Sequence, residues 1–245
     1  MDLDIKNRVA VVTGAGGGGI GTVLCQQLAR EGARVVANDI DRSWADRVVE
    51  EINGMGGTAL ATYADVTSLT DCQKMVGTAI DAFGRVDIMV TIPAYMEYKA
   101  FANCTPEELH SQVDVTFWGV VHSVKAVLDT MIKQRTGSIV CMGSDSARMA
   151  PPMETMYASA KAGIMTFASS LSKEIGRYGI RINVVNTALV KTPAHAYGTE
   201  EAFRGNYPLG RLAETQEIVE AILFLASDRA AFVTGQSLSV NGGRL

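Results

Sequence analysis

The feature that most constrains this chain is a regular alternation of two kinds of segment. Apolar runs rich in valine and isoleucine recur at Val9–Val12, Arg34–Ala37, Thr58–Thr62, Val86–Val90, Ser138–Met142, Ile180–Val185 and Ser237–Val240. Runs this short and this uniformly apolar read as strands buried on both faces. Between them lie stretches with helical spacing, at Ile20–Glu31, Ser43–Asn53, Leu69–Phe83, Glu107–Gln134, Glu154–Tyr178 and Thr215–Ser227. One start is punctuated by Thr105-Pro106 with Glu108 three residues after the threonine, a cap followed by proline at the first helical position. Crossovers of helical length join strands in parallel, so the expected fold is α/β, a doubly wound parallel sheet of about seven strands with helices on both faces. Ligands of such a sheet sit at the carboxyl ends of its strands.

No internal repeat and no Pro/Gly-rich linker interrupts residues 1–245, which are therefore expected to form a single domain. Only the stretch 192–207 lacks a pattern, and it is expected to be a short lid. A composition of 47% hydrophobic and 20% charged residues is that of a chain able to bury its own core. The net charge of -4, with 22 scattered basic residues, leaves no electrostatic footprint for nucleic acid. Cys25, Cys72, Cys104 and Cys141 lie too far apart for a zinc or redox dithiol motif, so they are read as reduced thiols and no metal site is expected. The segment Met1–Arg8 alternates charged and apolar residues, unlike a secretory leader, and no apolar run reaches the roughly 18 residues of a membrane span. The expected location is the cytoplasm, with no membrane partner.

The first strand runs into Thr13-Gly14-Ala15-Gly16-Gly17-Gly18-Gly19-Ile20-Gly21, and the first helix begins there. A glycine-rich turn in that context can cradle a pyrophosphate with backbone amides and a helix N-terminus, which makes the expected fold Rossmann-type. The second strand ends in Asp39, 18 residues after Gly21, about where a carboxylate accepts hydrogen bonds from adenosine ribose hydroxyls. That carboxylate would repel a 2′-phosphate, so NAD is favoured over NADP, with Arg42 nearby as the feature that argues the other way. Asp65-Val66 closes the third strand and is placed to meet the adenine edge.

Tyr157 and Lys161 stand four apart at the start of a long helix, one turn from each other on one face. A fixed cation beside a phenol is expected to favour the phenolate and bring it toward working pH as a proton donor and acceptor. Ser144, 13 residues before Tyr157 and just past Met142-Gly143, can polarise a substrate oxygen.

Together these motifs resemble the short-chain dehydrogenase/reductase family along nearly the whole chain, in the glycine loop, Asp39, Asp65-Val66, Ser144, Tyr-x-x-x-Lys at 157–161, and the closing Thr234-Gly235-Gln236 and Asn241-Gly242-Gly243. The stretch 144–148 is also similar to that of hydroxyacyl-CoA dehydrogenases of alicyclic acid breakdown, and the chain as a whole resembles bacterial NAD-dependent hydroxyacyl-CoA or cyclic alcohol dehydrogenases and 3-oxoacyl reductase-like members. The resemblance implies hydride transfer between nicotinamide and a carbonyl carbon, with Tyr157 exchanging the proton and Lys161 also binding the nicotinamide ribose. It implies cofactor contacts from Gly14, Gly18, Gly19, Ile20, Gly21, Asp39, Asp65, Val66, Thr91, Tyr157, Lys161, Val190 and Thr192, the last two near the carboxamide or diphosphate. Four positions depart from the family pattern. The glycine loop carries one residue more than T-G-x-x-x-G-x-G. Thr91-Ile92-Pro93-Ala94 replaces Asn-Asn-Ala-Gly, Thr116 stands where a catalytic asparagine is usual, and Thr187-Ala188 replaces Pro-Gly. By the resemblance, Thr116 is expected to keep the asparagine's main-chain role in a water relay to Lys161 at reduced efficiency, with Asp114 nearby in a poorer register.

The segments after strands four to six should line the substrate pocket, with Tyr95, Met96, Met149, Met153, Tyr197 and Phe203 as an apolar wall and His195 on the lid. Such a wall suits a bulky or cyclic alcohol or ketone. Arg148, Lys99 and Arg204 would serve an anionic thioester carrier instead. Apolar residues on more than one face of the two longest helices point to a homo-oligomer, a tetramer by the family's habit. The expected activity is an NAD-dependent alcohol dehydrogenase or ketone reductase acting on a small molecule. The alternatives are an NADPH-linked 3-oxoacyl thioester reductase and a weakly catalytic NAD-binding protein.

Overall fold

A computed structural model describes residues 3–192 and 205–245. The elements run β1 (Val9–Thr13), α1 (Ile20–Arg30), β2 (Arg34–Asn38), α2 (Arg42–Gly54), β3 (Thr58–Thr62), α3 (Leu69–Phe83) and β4 (Ile88–Thr91) in the first half. The second half runs α4 (Pro106–Val113), α5 (Gly119–Gln134), β5 (Gly137–Met142), α6 (Ser146–Met149), α7 (Thr155–Ile175), β6 (Ile180–Thr187), β7 (Val190–Lys191), β8 (Ala213–Glu214), α8 (Thr215–Ala226) and β9 (Ser237–Val240).

Seven of the strands form one sheet in the order β3-β2-β1-β4-β5-β6-β9, and every pairing in it is parallel. The expected architecture is therefore the observed one. Helices cover both faces because the strands alternate their side chains between two cores. Val12, Val35 and Val90 point to the side covered by Leu24 and Leu28 of α1 and Ile218 and Ile222 of α8. Val11, Val36 and Met89 point to the side covered by Met75 of α3, Val124 of α5 and Ile164 of α7. Each such side chain, fully withdrawn from water, contributes roughly 1.5–3 kcal/mol. Strand order reverses between β1 and β4, which opens a crevice at the carboxyl ends of those two strands.

The structure divides the helix expected over 107–134. Between α4 and α5 lies one π turn, Asp114–Trp118, in which the Gly119 N–H bonds the Asp114 carbonyl five residues back. A wider turn of this kind inserts an extra residue and rotates α5 relative to α4. Helical spacing alone does not reveal it, because apolar periodicity tolerates one added residue. The run Pro106–Gln134 has the length and mean hydropathy of a membrane-crossing helix, yet Val120, Val124, Val127 and Met131 are packed into the sheet core. The strand expected from Val86 begins at Ile88 instead. Asp87 turns its buried carboxylate to the Val9 N–H at 2.9 Å and to Arg85, fixing the entry of β4 beside β1.

Candidate active site

The crevice is floored by the loop between β1 and α1. Gly19 caps α1 without a side-chain bond, so first-turn N–H groups remain directed at the crevice. Gly21 has to be glycine, since a Cβ there would collide with the Gly14 carbonyl and push α1 off the loop. Thr22 ties the loop from inside, its hydroxyl accepting from Gly18 N–H at 3.1 Å and donating to the Ala15 carbonyl at 3.0 Å. Asp39, buried at the end of β2, faces this loop, with Oδ2 accepting from Gly16 N–H at 2.9 Å and Oδ1 from Asp41 N–H at 3.1 Å. Pro93 packs on Gly14 from the far side, and Thr192 lies over Gly19, so the loops after β4 and β7 close on the same turn. A cradle without side chains, an uncapped helix and a neighbouring carboxylate fit a dinucleotide. Gly14, Gly18, Gly19, Ile20, Gly21, Asp39 and Thr192 line this cradle and could hold it.

Other expected cofactor residues are placed differently. Asp65 spends Oδ1 on Thr67 N–H at 2.9 Å and on the Thr67 hydroxyl at 2.8 Å, closing the turn after β3, so only its second oxygen faces elsewhere. The Val66 carbonyl is engaged by His122 Nδ1 at 3.2 Å, and its side chain packs on Gly119. Thr91 is buried at the end of β4, and Val190 is buried in β7, which pairs with β8.

Ser144 follows β5, and Tyr157 and Lys161 rise from the first turns of α7 across from it. Lys161 is 2% exposed and donates to the Met142 carbonyl at 2.7 Å, with Nζ 5.7 Å from the centre of the Tyr157 ring. The Ser144 hydroxyl is close enough to Tyr157 to lower its pKa. All three groups therefore converge, but the electrostatics differ from the expectation. Burial holds the Tyr157 phenol above its usual value, opposed by Ser144 and reinforced by the Glu154 carboxylate. Burial also pulls Lys161 down to about 8, because the site penalises any charged form and no carboxylate among the described residues pairs with the lysine. Ser144, not Lys161, is the group that opposes the rise of the Tyr157 phenol.

Thr116 sits fully buried in the π turn. Its hydroxyl accepts from Tyr95 N–H at 3.0 Å and donates to the Tyr95 carbonyl at 3.1 Å, pinning the loop after β4. Tyr95, Met96, Met149 and Met153 all lie exposed on the surrounding segments. Met153 has φ 69° and its carbonyl accepts from Lys99 N–H at 3.2 Å, so the loops after β4 and β5 meet at a strained backbone position. Tyr197, Phe203, His195 and Arg204 lie outside the described residues. The other two basic residues expected to meet an anionic carrier are engaged elsewhere. Lys99 bonds Glu108 at 2.9 Å, and Arg148 reaches Ser239 and the Ser237 carbonyl on β9.

The family profile described as enoyl-(acyl carrier protein) reductase matches residues 14–244. The chain belongs to the short-chain dehydrogenase/reductase family. It is 36% identical to L-rhamnose 1-dehydrogenase (NAD(P)(+)) of Azotobacter vinelandii over 97% of this chain and 96% of that one. It is 32% identical to the 3-oxoacyl-[acyl-carrier-protein] reductase FabG of Thermotoga maritima over 98% and 99% of the two. Among solved structures, 7α-hydroxysteroid dehydrogenase complexed with NADH and 7-oxo glycochenodeoxycholic acid superposes with a TM-score of 0.94, at 31% identity, covering 99% of this chain and 96% of that one. As a member of this family the chain is an oxidoreductase that works with a nicotinamide cofactor and a small-molecule substrate.

Three residues around this dehydrogenase/reductase site are not singled out by the sequence motifs. Glu154, one turn before Tyr157, accepts from the Ser146 hydroxyl at 2.6 Å. Asp145 is buried beside Ser144 and accepts from Ser239 at 2.8 Å. Asn186 interrupts the apolar run of β6 and presses on Gly143, where a Cβ would collide with its side-chain oxygen. Only Asn186 is detectable in principle, as a polar residue within a buried strand.

Proposed function

We propose that this chain is an NAD(H)-linked dehydrogenase or reductase of secondary alcohols and ketones, with bulky apolar or cyclic substrates. The observation that carries the reading is the convergence of Ser144, Tyr157 and Lys161, with Tyr95, Met96, Met149 and Met153 exposed on the segments that follow β4 and β5. When bound, the nicotinamide supplies or accepts the hydride. Tyr157 gives a proton to, or takes it from, the substrate oxygen, and Ser144 polarises that oxygen. Lys161 would hold the nicotinamide ribose of the bound cofactor and pass the proton outward, with the main chain at Thr116 as the next step of the relay. Ser144 and Lys161 are buried and Tyr157 is half-buried beside them, which limits competing water and strengthens each interaction. Val190 and Thr192 would meet the carboxamide and diphosphate of the bound cofactor, and Asp65, Val66 and Thr91 would serve its adenine and nicotinamide; Tyr197 and Phe203, the remaining candidates for the apolar wall, lie outside the described residues.

Asp39 supports NAD over NADP, because its carboxylate stands at the ribose side of the crevice. The four free thiols, three of them buried, suit a reducing cytoplasm, and the exposed Trp118 at the head of α5 supports a homo-oligomer, a tetramer in this reading. Similarity to FabG of Thermotoga maritima supports an NADPH-linked thioester reductase as second reading, though Lys99 is engaged by Glu108 and Arg148 by β9. Steady-state rates with NADH and with NADPH across cyclic ketones, steroid-like ketones and 3-oxoacyl thioesters separate the two. NADH-linked turnover of the cyclic or steroid-like ketones is the expected result. Thioester turnover confined to NADPH would overturn it.

A further inference from the structure

The extra residue in the glycine loop has a physical partner. Trp44, in the first turn of α2, lays its side chain against Gly16 and Gly17. A Cβ on Gly16 would collide with the Trp44 Cβ and come within 3.0 Å of Asp39 Oδ2. A Cβ on Gly17 would lie 3.4 Å from the indole ring, at a backbone φ of 75°. The indole, the enlarged loop and the Asp39 carboxylate thus form one contact group, joined by the Gly16 N–H bond to Asp39. The packing leaves the indole 45% exposed.

Arg42, the cation nearest Asp39 in sequence, is directed elsewhere. Its guanidinium stacks on Tyr63 at 4.2 Å from the ring centre, and the Tyr63 hydroxyl is fixed by Asp46 at 2.6 Å. A phosphate placed beside Asp39 would therefore meet a carboxylate and an indole, with the guanidinium drawn onto an aromatic face.

From this arrangement, and resting on the NAD reading above, we propose that Trp44 is a cofactor-selecting residue. Its indole holds the enlarged glycine loop in its binding shape and fills the space beside Asp39 that a 2′-phosphate would need. Asp39 supplies the charge discrimination and Trp44 the steric one, which explains how four consecutive glycines keep a defined course. An open loop of that composition would otherwise lose considerable backbone entropy on binding.

Trp44 and Trp118 are the two tryptophans of the chain. In a Trp118→Phe variant Trp44 is the lone emitter, and its fluorescence reports ADP-ribose and 2′-phospho-ADP-ribose, two probes that need no turnover. ADP-ribose is expected to change the emission saturably, and calorimetry should show 2′-phospho-ADP-ribose at least about tenfold weaker. In the otherwise unaltered chain, Trp44→Ala should weaken ADP-ribose about fivefold, the scale of one lost aromatic contact, and narrow the ratio between the probes. Trp44→Phe should restore part of both. Calorimetric binding of ADP-ribose with no change in Trp44 emission, or a probe ratio unaltered by Trp44→Ala, overturns the role of Trp44 and leaves the NAD reading standing. Failure of ADP-ribose to bind, or equal binding of the two probes by the parent chain, overturns the NAD reading and this inference with it.

Discussion

Lys161 buries its amine against the main-chain oxygen of Met142, 2.7 Å away, with no carboxylate among the described residues to pair it. Desolvation lowers its pKa from 10.5 to about 8. A lysine so placed costs stability while it is charged, and replacing it by a methionine of similar volume removes that cost. The shift corresponds to about 3 kcal/mol, from which about 1 kcal/mol is subtracted for the lost hydrogen bond. Lys161→Met is therefore expected to raise unfolding free energy at pH 7 by about 2 kcal/mol and to abolish turnover. The sign also fixes the pH dependence. Between about 8 and 10.5 the native parent binds fewer protons at this site than the unfolded chain, so this contribution to its stability rises with pH through that window. Denaturant titrations at pH 7 and pH 10 should show the two proteins converging. A gap that does not close would mean that the lysine is not the origin.

The Tyr157 phenol is raised by burial and lowered by Ser144. Removing the hydroxyl with Ser144→Ala should move the phenol further up, shifting the alkaline limb of the rate profile to higher pH as well as slowing turnover. Tyr157→Phe should lower kcat by about 10²–10⁴, the usual contribution of positioned proton transfer, with NADH affinity nearly unchanged. Fluorescence titration of NADH against each variant, beside its pH–rate profile, separates lost chemistry from lost binding.

Much of this site is legible in the sequence, for reasons that differ residue by residue. Strands β3 and β9 and helix α3 have the bounds read from periodicity, because their ends carry turn residues or caps such as Ser68. Tyr157 and Lys161 share a face through local geometry that any helix enforces. The π turn at Asp114–Trp118 is hidden because an inserted residue leaves the apolar pattern usable on both sides. The pKa directions are hidden for another reason. Proximity of Lys161 favours a phenolate, but desolvation depends on what surrounds both groups, and that is a tertiary quantity. The engagement of Arg148 with β9, 89 residues away in sequence for the Ser237 carbonyl, belongs to the same class.

Thr116 offers a separate test, since one hydroxyl satisfies both the N–H and the carbonyl of Tyr95. Thr116→Val keeps the volume and removes both bonds, leaving a partly buried N–H without that partner. The expected loss is about 1–3 kcal/mol of stability, with KM for substrate raised several-fold and the NADH dissociation constant little changed, because the freed loop carries Tyr95 and Met96. Denaturant midpoints and initial rates on one preparation check both. An unchanged KM would place Tyr95 outside the substrate wall.

Tyr207 links the C-terminal end to the loop that carries Val190. Its buried hydroxyl accepts from Leu189 N–H at 3.1 Å and from Arg244 at 2.9 Å, and Arg244 also lies 5.2 Å over its ring. Thr187-Ala188 occupies the place of the family's Pro-Gly, so the rigidity that proline would give this loop has to come from elsewhere. The phenol is the group in position to provide it. Tyr207→Phe keeps the ring and the cation stacking but strips the acceptor from Leu189, which should cost about 1–2 kcal/mol and weaken NADH severalfold. Restoring the proline with Thr187→Pro should reduce the effect on NADH, since the two devices fix the same backbone. The four proteins of this cycle, compared by NADH titration, give the coupling directly. Additive effects would show that Tyr207 stabilises the C-terminal end without positioning the cofactor loop.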